Sequence, residues 1–556
     1  MKVLRKKEKG ASVWGWIIRN GKACLPSIIA LAVLATALSL LALQFTLASK
    51  SVLDIATHQQ EGDLFTACAV LVGLLFVQLV LQISVSFINV QANAKLDIEL
   101  KRHVFKTLIS KDYMSVSKYH SGELLNRLTS DINVIIGGII SIVPNICLLL
   151  TSIIGGFIIL FRLDRFFALV VLTVGPLLLI CGKLYSRRFK QLHKDCQLAD
   201  GKTRSFMQEA LQNILVIKSF NNQNDILGHN EQLQRNTYKL KIKRVKISVF
   251  AHICMYLIFN AGYYFALAYG SYKLSKGMIT FGTVTAMLQL VGKIQSPFKD
   301  ISSMIPQFFS VAASVERIME LENMKDDAIG GSTCSYDKME SIVFENVCFG
   351  YEPDKPVLTD ASFTVNKGEF VVIGGESGIG KSTAIKLMLG IMRPDSGRAY
   401  VKTSGGDVEL GCGTRELFAY VPQGNLILSG TIRDNVAFGK KDASDEEIIE
   451  ALRLAQIWDY ISTLEHGLDT ELGEKGLGLS EGQVQRISIA RAILYGAPVL
   501  LLDESTSALD EKTEIMLLET LKTLTDKTCI LISHKKAAFD FCDKVIDYGN
   551  FRRDNN

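Results

Sequence analysis

Charge is spread very unevenly along this chain of 556 residues. Leu64–Ala94 and Ile132–Phe161 carry no charged side chain, and each is longer than the ~20 apolar residues that a helix needs to cross a bilayer. Ala23–Ala48, Phe166–Gly182, Ile247–Tyr272 and Met278–Gly292 are further apolar runs, so six membrane spans are expected before residue 300. Gly137, Gly138, Gly155 and Gly156 mark expected points of close helix packing. The first run follows a basic start, Met1–Lys9, with Trp14 and Trp16 on a stretch suited to the membrane interface. It is too long for the apolar core of a signal peptide and lacks a small-residue cleavage site.

Lys and Arg then orient the spans. Segments 49–63, 162–165 and 273–277 are short and poor in basic residues, whereas 95–131 and 183–246 are long and crowded with them. The excess of positive charge on the cytoplasmic side therefore predicts that the long segments and both termini are cytoplasmic. Helical periodicity in the long segments predicts helices that continue well past the bilayer.

After residue 319 the pattern changes. Met319–Lys338 is polar and contains Gly330-Gly331-Ser332-Thr333, which reads as a linker; beyond it, short apolar runs alternate with helical stretches. The expected organisation is a transmembrane domain over 1–325, a linker over 326–340 and an α/β nucleotide-binding domain over 341–556. Within that last part, Phe370-Val371-Val372-Ile373 reads as a buried strand and Ala384–Leu389 as the opening of a helix. Between them lie Gly375, Glu376, Ser377, Gly378, Ile379, Gly380, Lys381, Ser382 and Thr383. A glycine-rich turn between strand and helix, ending in Gly-Lys-Ser, is the pattern of a phosphate-binding loop. Its backbone N–H groups and the helix dipole favour an anion. Lys381 can reach the β- and γ-phosphates, and the Ser382 hydroxyl can ligate Mg2+. The chain is expected to bind a nucleoside triphosphate.

Val499–Leu502 is a second apolar strand and runs directly into Asp503 and Glu504. In a protein with a phosphate-binding loop, the first acid can hold Mg2+ and the second can orient and polarise the attacking water. Composition narrows the picture further. Hydrophobic residues make up 48% of the chain and mean hydropathy is +0.23, too apolar for an ordinary soluble enzyme. The net charge of +5 is too mild to suggest nucleic-acid binding. Eleven cysteines lack any C-x-x-C pair or metal-ligand spacing, which points to reduced, buried thiols.

Leu479-Ser480-Glu481-Gly482-Gln483 resembles the signature sequence of ABC transporter ATPases. Other family motifs follow in the right order: Tyr351 is similar to the aromatic that stacks on adenine, Gln423 to the Q-loop glutamine, Ser507-Ala508-Leu509-Asp510 to the D-loop and His534 to the switch histidine. Gly122–Asp131 and Glu209–Phe220 are similar to the two intracellular coupling segments. With six spans ahead of the ATPase domain, the chain resembles an exporter-type half-transporter: an all-α polytopic membrane domain fused to an α/β P-loop ATPase domain with a helical subdomain. The resemblance implies ATP and Mg2+ as cofactors, with Ser382, Asp503 and Gln423 at the metal. It implies Glu504 as base, His534 as the partner of the γ-phosphate, and Gln423 as the residue that senses Mg2+ and the attacking water. Ser480, Gly482, Gln483 and Asp510 would serve the ATP of a facing subunit, so two copies, or this chain with a related half-transporter, sandwich two ATP molecules.

Glu481 departs from the family, where glycine is usual. A carboxylate near a γ-phosphate would be repelled, so its side chain is expected to point away, and a weakened site in a heterodimer is the rival explanation. Glu504 and His534 are both retained, which favours a competent site and a homodimer. Few residues follow Asp547, so a helical C-terminal extension is not expected, and no peptidase-like region precedes the first span. The implied activity is ATP-driven export of a lipid, drug-like molecule or peptide by alternating access. The implied location is the lipid bilayer of a bacterial plasma membrane. A gated channel or receptor on the same fold is the alternative, and a membrane-attached soluble P-loop enzyme is disfavoured by the signature sequence. Candidate cargo contacts are Tyr256, Phe259, Tyr263 and Phe265 in the fifth span and Gln289, Lys293 and Gln295 in the sixth. Helix packing is an equally good reading of each.

Overall fold

The computed structural model describes residues 12–327, 333–352, 355–376, 378–424, 427–473 and 478–547. The basic start of the chain, the linker glycines Gly330 and Gly331, Ser377 of the loop and the chain end from Tyr548 lie outside the described residues. The fold separates into two compact units, one of Met1–Thr107 with Ser121–Glu322 and one of Leu108–His120 with Asn323–Asn556.

The first unit is helical. It contains α1 (Val13–Gly21), α2 (Leu25–Ala56) and α3 (Leu64–Ile109). After α4 (Tyr113–Val116), which folds with the other unit, come α5 (Ser121–Asn126) and a π-helical turn, Arg127–Asp131. Then follow α6 (Ile132–Leu163), α7 (Arg165–Gln212), α8 (Ile214–Ser219), α9 (Gln223–Ser275) and α10 (Phe281–Glu322). The six long helices, α2, α3, α6, α7, α9 and α10, run from 32 to 53 residues, longer than any bilayer requires. Each of the six apolar runs falls on one of them. Among the described residues, Val13–Ala56, Leu64–Ile109 and Ser121–Leu163 are long and apolar enough to cross a membrane by length and composition.

Small residues set the packing of these helices. A Cβ at Gly138 would stand 2.2 Å from Val311, one at Gly155 2.5 Å from Leu43, and one at Gly156 2.9 Å from Ile294. Three of the four expected close-packing glycines therefore sit at helix crossings, whereas Gly137 faces open space. Ser39 and Ser152 share a hydrogen bond of 2.8 Å between α2 and α6. On α3 only Ala92, Leu96, Leu100 and Val104 are buried, one residue every fourth position, so a narrow stripe packs and the remaining apolar surface suits acyl chains.

The second unit is built on two sheets. Its strands are β1 (Met339–Glu352), β2 (Lys355–Asn366), β3 (Phe370–Gly374), β4 (Ser396–Thr403), β5 (Gly406–Glu409) and β6 (Phe418–Val421). They continue with β7 (Gly430–Thr431), β8 (Glu471–Leu472), β9 (Val499–Asp503), β10 (Thr528–Ile532) and β11 (Lys544–Asp547). An antiparallel sheet has the order β2-β1-β4-β5, and a sheet of parallel pairs has the order β11-β3-β10-β9-β6. The helices are α11 (Lys381–Met388), α12 (Ile432–Val436), α13 (Asp445–Leu454), α14 (Trp458–Ile461), α15 (Glu481–Tyr495), α16 (Glu511–Thr523) and α17 (Lys536–Phe541).

The parallel sheet is buried on both faces, which is why its strands read as continuous apolar runs. Alternation divides them between two cores. Val372, Leu500, Leu502 and Leu531 join residues of α12, α13, α15 and α16 on one face; Val371, Ile373, Leu501 and Ile530 join α11 and the antiparallel sheet on the other. Every described cysteine is a free thiol; Cys24, Cys196 and Cys529 are buried, and Cys68 is exposed. Burial pushes the Cys529 thiol up to about 12.

A candidate ATP site at the ends of the parallel strands

Because β3, β6, β9 and β10 run parallel, the residues that follow them emerge along one edge of the sheet, where ligands of open α/β folds bind. The loop after β3 has Gly375, Gly378 and Gly380 at φ of 131°, 80° and 108°, values that side chains bearing a Cβ rarely adopt. Glu376 and Ile379 fill the turns between them. Lys381 opens α11 with its chain buried, and its ammonium group donates to Gly375 O at 2.7 Å and Glu376 O at 2.8 Å. Burial lowers its pKa, opposed by the nearby charges of Glu504 and Asp503. Phosphate oxygens are stronger partners for such a group than neutral carbonyls.

Asp503 ends β9 at 1% exposure. Ser382 Oγ donates to its Oδ1 at 3.1 Å, and the Tyr420 hydroxyl donates to its Oδ2 at 3.3 Å. Burial raises the Asp503 pKa, and these two donors oppose the rise. Glu504 takes up a left-handed φ of 48°, its N–H fixed to Ile532 O at 3.1 Å. A non-glycine residue held there is strained, as functional carboxylates often are. Its Oε2 accepts from Gln423 Nε2 at 2.6 Å, and its Oε1 lies 3.4 Å from His534 Nε2. The same imidazole nitrogen lies 3.0 Å from Lys381 Nζ. One nitrogen cannot accept from Lys381 and donate to Glu504 at once, so these two contacts are alternatives set by the His534 tautomer. Tyr351, at the end of β1, is exposed; its hydroxyl shares a hydrogen bond of 3.1 Å with Thr383.

The sequence-expected residues thus fall into two clusters. Tyr351, the loop, Lys381, Ser382, Thr383, Gln423, Asp503, Glu504 and His534 form the first, while Ser480, Gly482, Gln483 and Asp510 form the second. Ser480 and Gln483 cap α15 reciprocally, through Ser480 N to Gln483 Oε1 at 2.8 Å and Gln483 N to Ser480 Oγ at 3.3 Å. A Cβ on Gly482 would stand 2.8 Å from Ala508 O, so the helix start and the Ser507–Asp510 turn touch backbone to backbone. Gln485 secures that approach, donating to Ser507 Oγ at 3.1 Å and accepting from Ala508 N at 3.2 Å. Asp510 caps α16 by accepting from Thr513 N at 3.1 Å. Glu481 is exposed at the first position of α15.

Sequence reasoning missed Tyr420, which reads as a core aromatic until its strand is paired with β9. It also missed a buried carboxylate, Glu514, which accepts from Thr506 Oγ1 at 2.8 Å and pairs with Lys535 at 3.2 Å. No local pattern announces that pair. Among the described residues no group of three or more His, Cys, Asp or Glu side chains could hold a metal ion. A buried carboxylate beside a serine hydroxyl nevertheless suits Mg2+, which prefers one or two protein oxygens plus substrate phosphates. The donor set fits that ion.

Comparison with known proteins identifies the family. Residues 27–298 match the model of the ABC transporter transmembrane region, and residues 358–507 match that of the ABC transporter domain. An uncharacterized ABC transporter ATP-binding protein, YfiB of Bacillus subtilis (strain 168), is 30% identical over 524 residues, covering 93% of this chain and 90% of its own. An ATP-dependent lipid A-core flippase of Alcanivorax borkumensis is 30% identical over 455 residues, covering 80% and 77%. A bacterial Atm1-family ABC exporter with ATP bound shares the fold, at a TM-score of 0.80 and 24% identity over 95% of this chain and 94% of that one. One membrane region joined to one ATPase domain in a single chain makes this protein a member of the ABC transporter family, an exporter-type half-transporter whose ATP hydrolysis is coupled to transport.

Proposed function

We propose that the chain exports a lipid, drug-like or peptide cargo from a bacterial cell membrane, working as a homodimer with ATP held between two nucleotide-binding units. The carrying observation is the arrangement of Glu504 between Gln423 and His534, at 2.6 and 3.4 Å, at the mouth of a loop that presents Lys381. Lys381 and the loop N–H groups bind the phosphates, and Tyr351 supports the adenine. Glu504 takes a proton from water as the water oxygen attacks the γ-phosphorus and the bond to the β-phosphate oxygen breaks. His534 and Lys381 stabilise the charge that gathers on the γ-phosphate oxygens. Ser382, Asp503 and Gln423 would hold Mg2+, which would neutralise charge on the leaving diphosphate. Ser480 and the N–H groups near Gly482 would cap the γ-phosphate of the partner's ATP, in keeping with a second cluster whose polar contacts are internal. Glu481, exposed and at a dipole-favoured position, is compatible with that role when directed away from the phosphate.

ATP-driven uptake into inside-out vesicles, tested with a panel of lipids, drugs and peptides, reads the cargo, and Glu504→Gln in the same vesicles separates transport from leak. Uptake that persists undiminished in that variant overturns the assignment of Glu504 as base.

A further inference from the structure

Tyr420 belongs to none of the motifs above, yet the pairing of its strand aims it at the metal-binding carboxylate. In the parallel pair of β6 and β9, Tyr420 stands opposite Leu501 and Val421 opposite Leu502. Phe418, Tyr420, Val499 and Leu501 share the core on the α11 side of the sheet, while Ala419, Val421, Leu500 and Leu502 share the other. Alternation gives Asp503 the same face as Tyr420 and as the helix that carries Ser382. Each carboxylate oxygen of Asp503 thus has one donor, Ser382 on Oδ1 and Tyr420 on Oδ2. In a group this buried, two donors fix the plane of the carboxylate, and losing one leaves an oxygen unpaired where water cannot replace it.

Residues 108–120 fold with this unit and bring Tyr113 beside α11. The segment is tied down by Lys111 Nζ to Asp326 at 2.6 Å, Asp112 N to Lys325 O at 2.9 Å and Asp327 N to Ser110 O at 2.9 Å. Arg415 anchors Asp327 in turn, through contacts of 2.5 and 2.9 Å, and also donates to Leu389 O and Gly390 O just beyond α11. On this platform Met114 packs against the same core as Tyr420. The Lys386 ammonium of α11 stands 5.9 Å from the Tyr113 ring. Lys386 in turn acts on the charge of Asp503. Tyr113 therefore lies beside α11, the helix that carries Ser382.

We infer that Tyr420 is a positioning residue that holds Asp503 in the orientation that binds Mg2+. The inference rests on the reading of Asp503 as a Mg2+ residue.

The test is equilibrium binding of a fluorescent ATP analogue to the full-length protein carrying Glu504→Gln, titrated with Mg2+ and repeated in EDTA. Tyr420→Phe keeps the ring and should raise the Mg2+ concentration for half-maximal binding by at least about tenfold, the size of one lost hydrogen bond to a charged group. Affinity in EDTA should not move, which also reports an intact fold. Asp503→Asn should nearly abolish the Mg2+ dependence. If Asp503→Asn leaves that dependence intact, the reading of Asp503 fails. If Asp503→Asn abolishes it and Tyr420→Phe leaves it unshifted, the positioning role alone is overturned.

Discussion

The two units use charge in opposite ways. In the helical unit, carboxylates and cations meet at helix ends and hold them: Asp164 caps α7 and pairs with Lys273, Asp54 pairs with Lys50 and accepts from Gly282 N, and Asp131 pairs with Arg317. In the nucleotide-binding unit the charges converge instead, with Lys381, Asp503, Glu504 and His534 at the ends of neighbouring parallel strands and close enough to compete for one another. A helix presents side chains outward around its axis, so partners come from whichever helix crosses it. A parallel sheet delivers strand ends to one edge and concentrates them. Charge in the first unit should therefore be worth stability, and charge in the second should be worth rate.

The largest effect that can break this comparison is Glu504→Gln. It should lower ATP turnover by about 10²- to 10⁴-fold, the usual worth of a general base. The melting temperature should change little, since the exposed Gln423 and His534 keep water as a partner. A comparable loss of stability would put Glu504 with the structural pairs. Gly482→Ala comes next. Its Cβ would meet Ala508 O at 2.8 Å, and overpacking of this kind costs about 1–3 kcal/mol. The α15 start and the Ser507–Asp510 turn should separate, with a lower melting temperature and an ATPase rate down roughly tenfold. Wild-type values for both would mean that the approach is loose.

In the helical unit, Asp131→Ala removes an oxygen pair that accepts from Arg317 Nε at 2.8 Å and from Ser314 Oγ at 3.0 Å. Arg317 is 45% exposed, so water screens what is left, and the expected cost is about 1–2 kcal/mol rather than the full penalty of a buried pair. Thermal unfolding in detergent reads it, and Arg317→Ala on top should add little. A large additional loss would show that Arg317 has other work at the π-helical turn.

What could be read from the chain follows the same division. The glycine-rich loop after β3, the two acids after β9 and the apolar spans are encoded within a few residues, where glycine φ, strand termination and the absence of charge are local properties. Partners brought by tertiary contact are not. The family resemblance pointed to Gly122–Asp131 as a coupling segment. The stretch that folds with the nucleotide-binding unit lies just before it, at Leu108–His120, and its four-residue helix has too little periodicity to stand out. Tyr420 needed the β6/β9 register, and Glu514 needed Lys535, which lies after β10. Gly137 and Gly138 are indistinguishable in sequence, and only the neighbour at Val311 separates them.

Lys293 tests the comparison where it is finest, because it is a cation inside the helical unit that is not at a helix end. Its ammonium donates to Ala42 O and, at 2.7 Å, to Thr46 Oγ1 on α2. Nearby, Gln295 is buried, with no partner for its Nε2 among the described residues, and set against Gly262. If Lys293 is only a tie between α10 and α2, then Lys293→Met and Thr46→Val should produce the same small loss of stability, about 1 kcal/mol each. Neither should then change how cargo stimulates ATP hydrolysis. If Lys293 also meets cargo, Lys293→Met should shift the stimulating concentration severalfold while Thr46→Val leaves it in place. Thr46 shares the hydrogen bond but carries no charge, so a difference between the two variants measures what the charge itself does. Identical stimulation curves across the cargo panel would return Lys293 to the helix-holding class with Asp131 and Asp164.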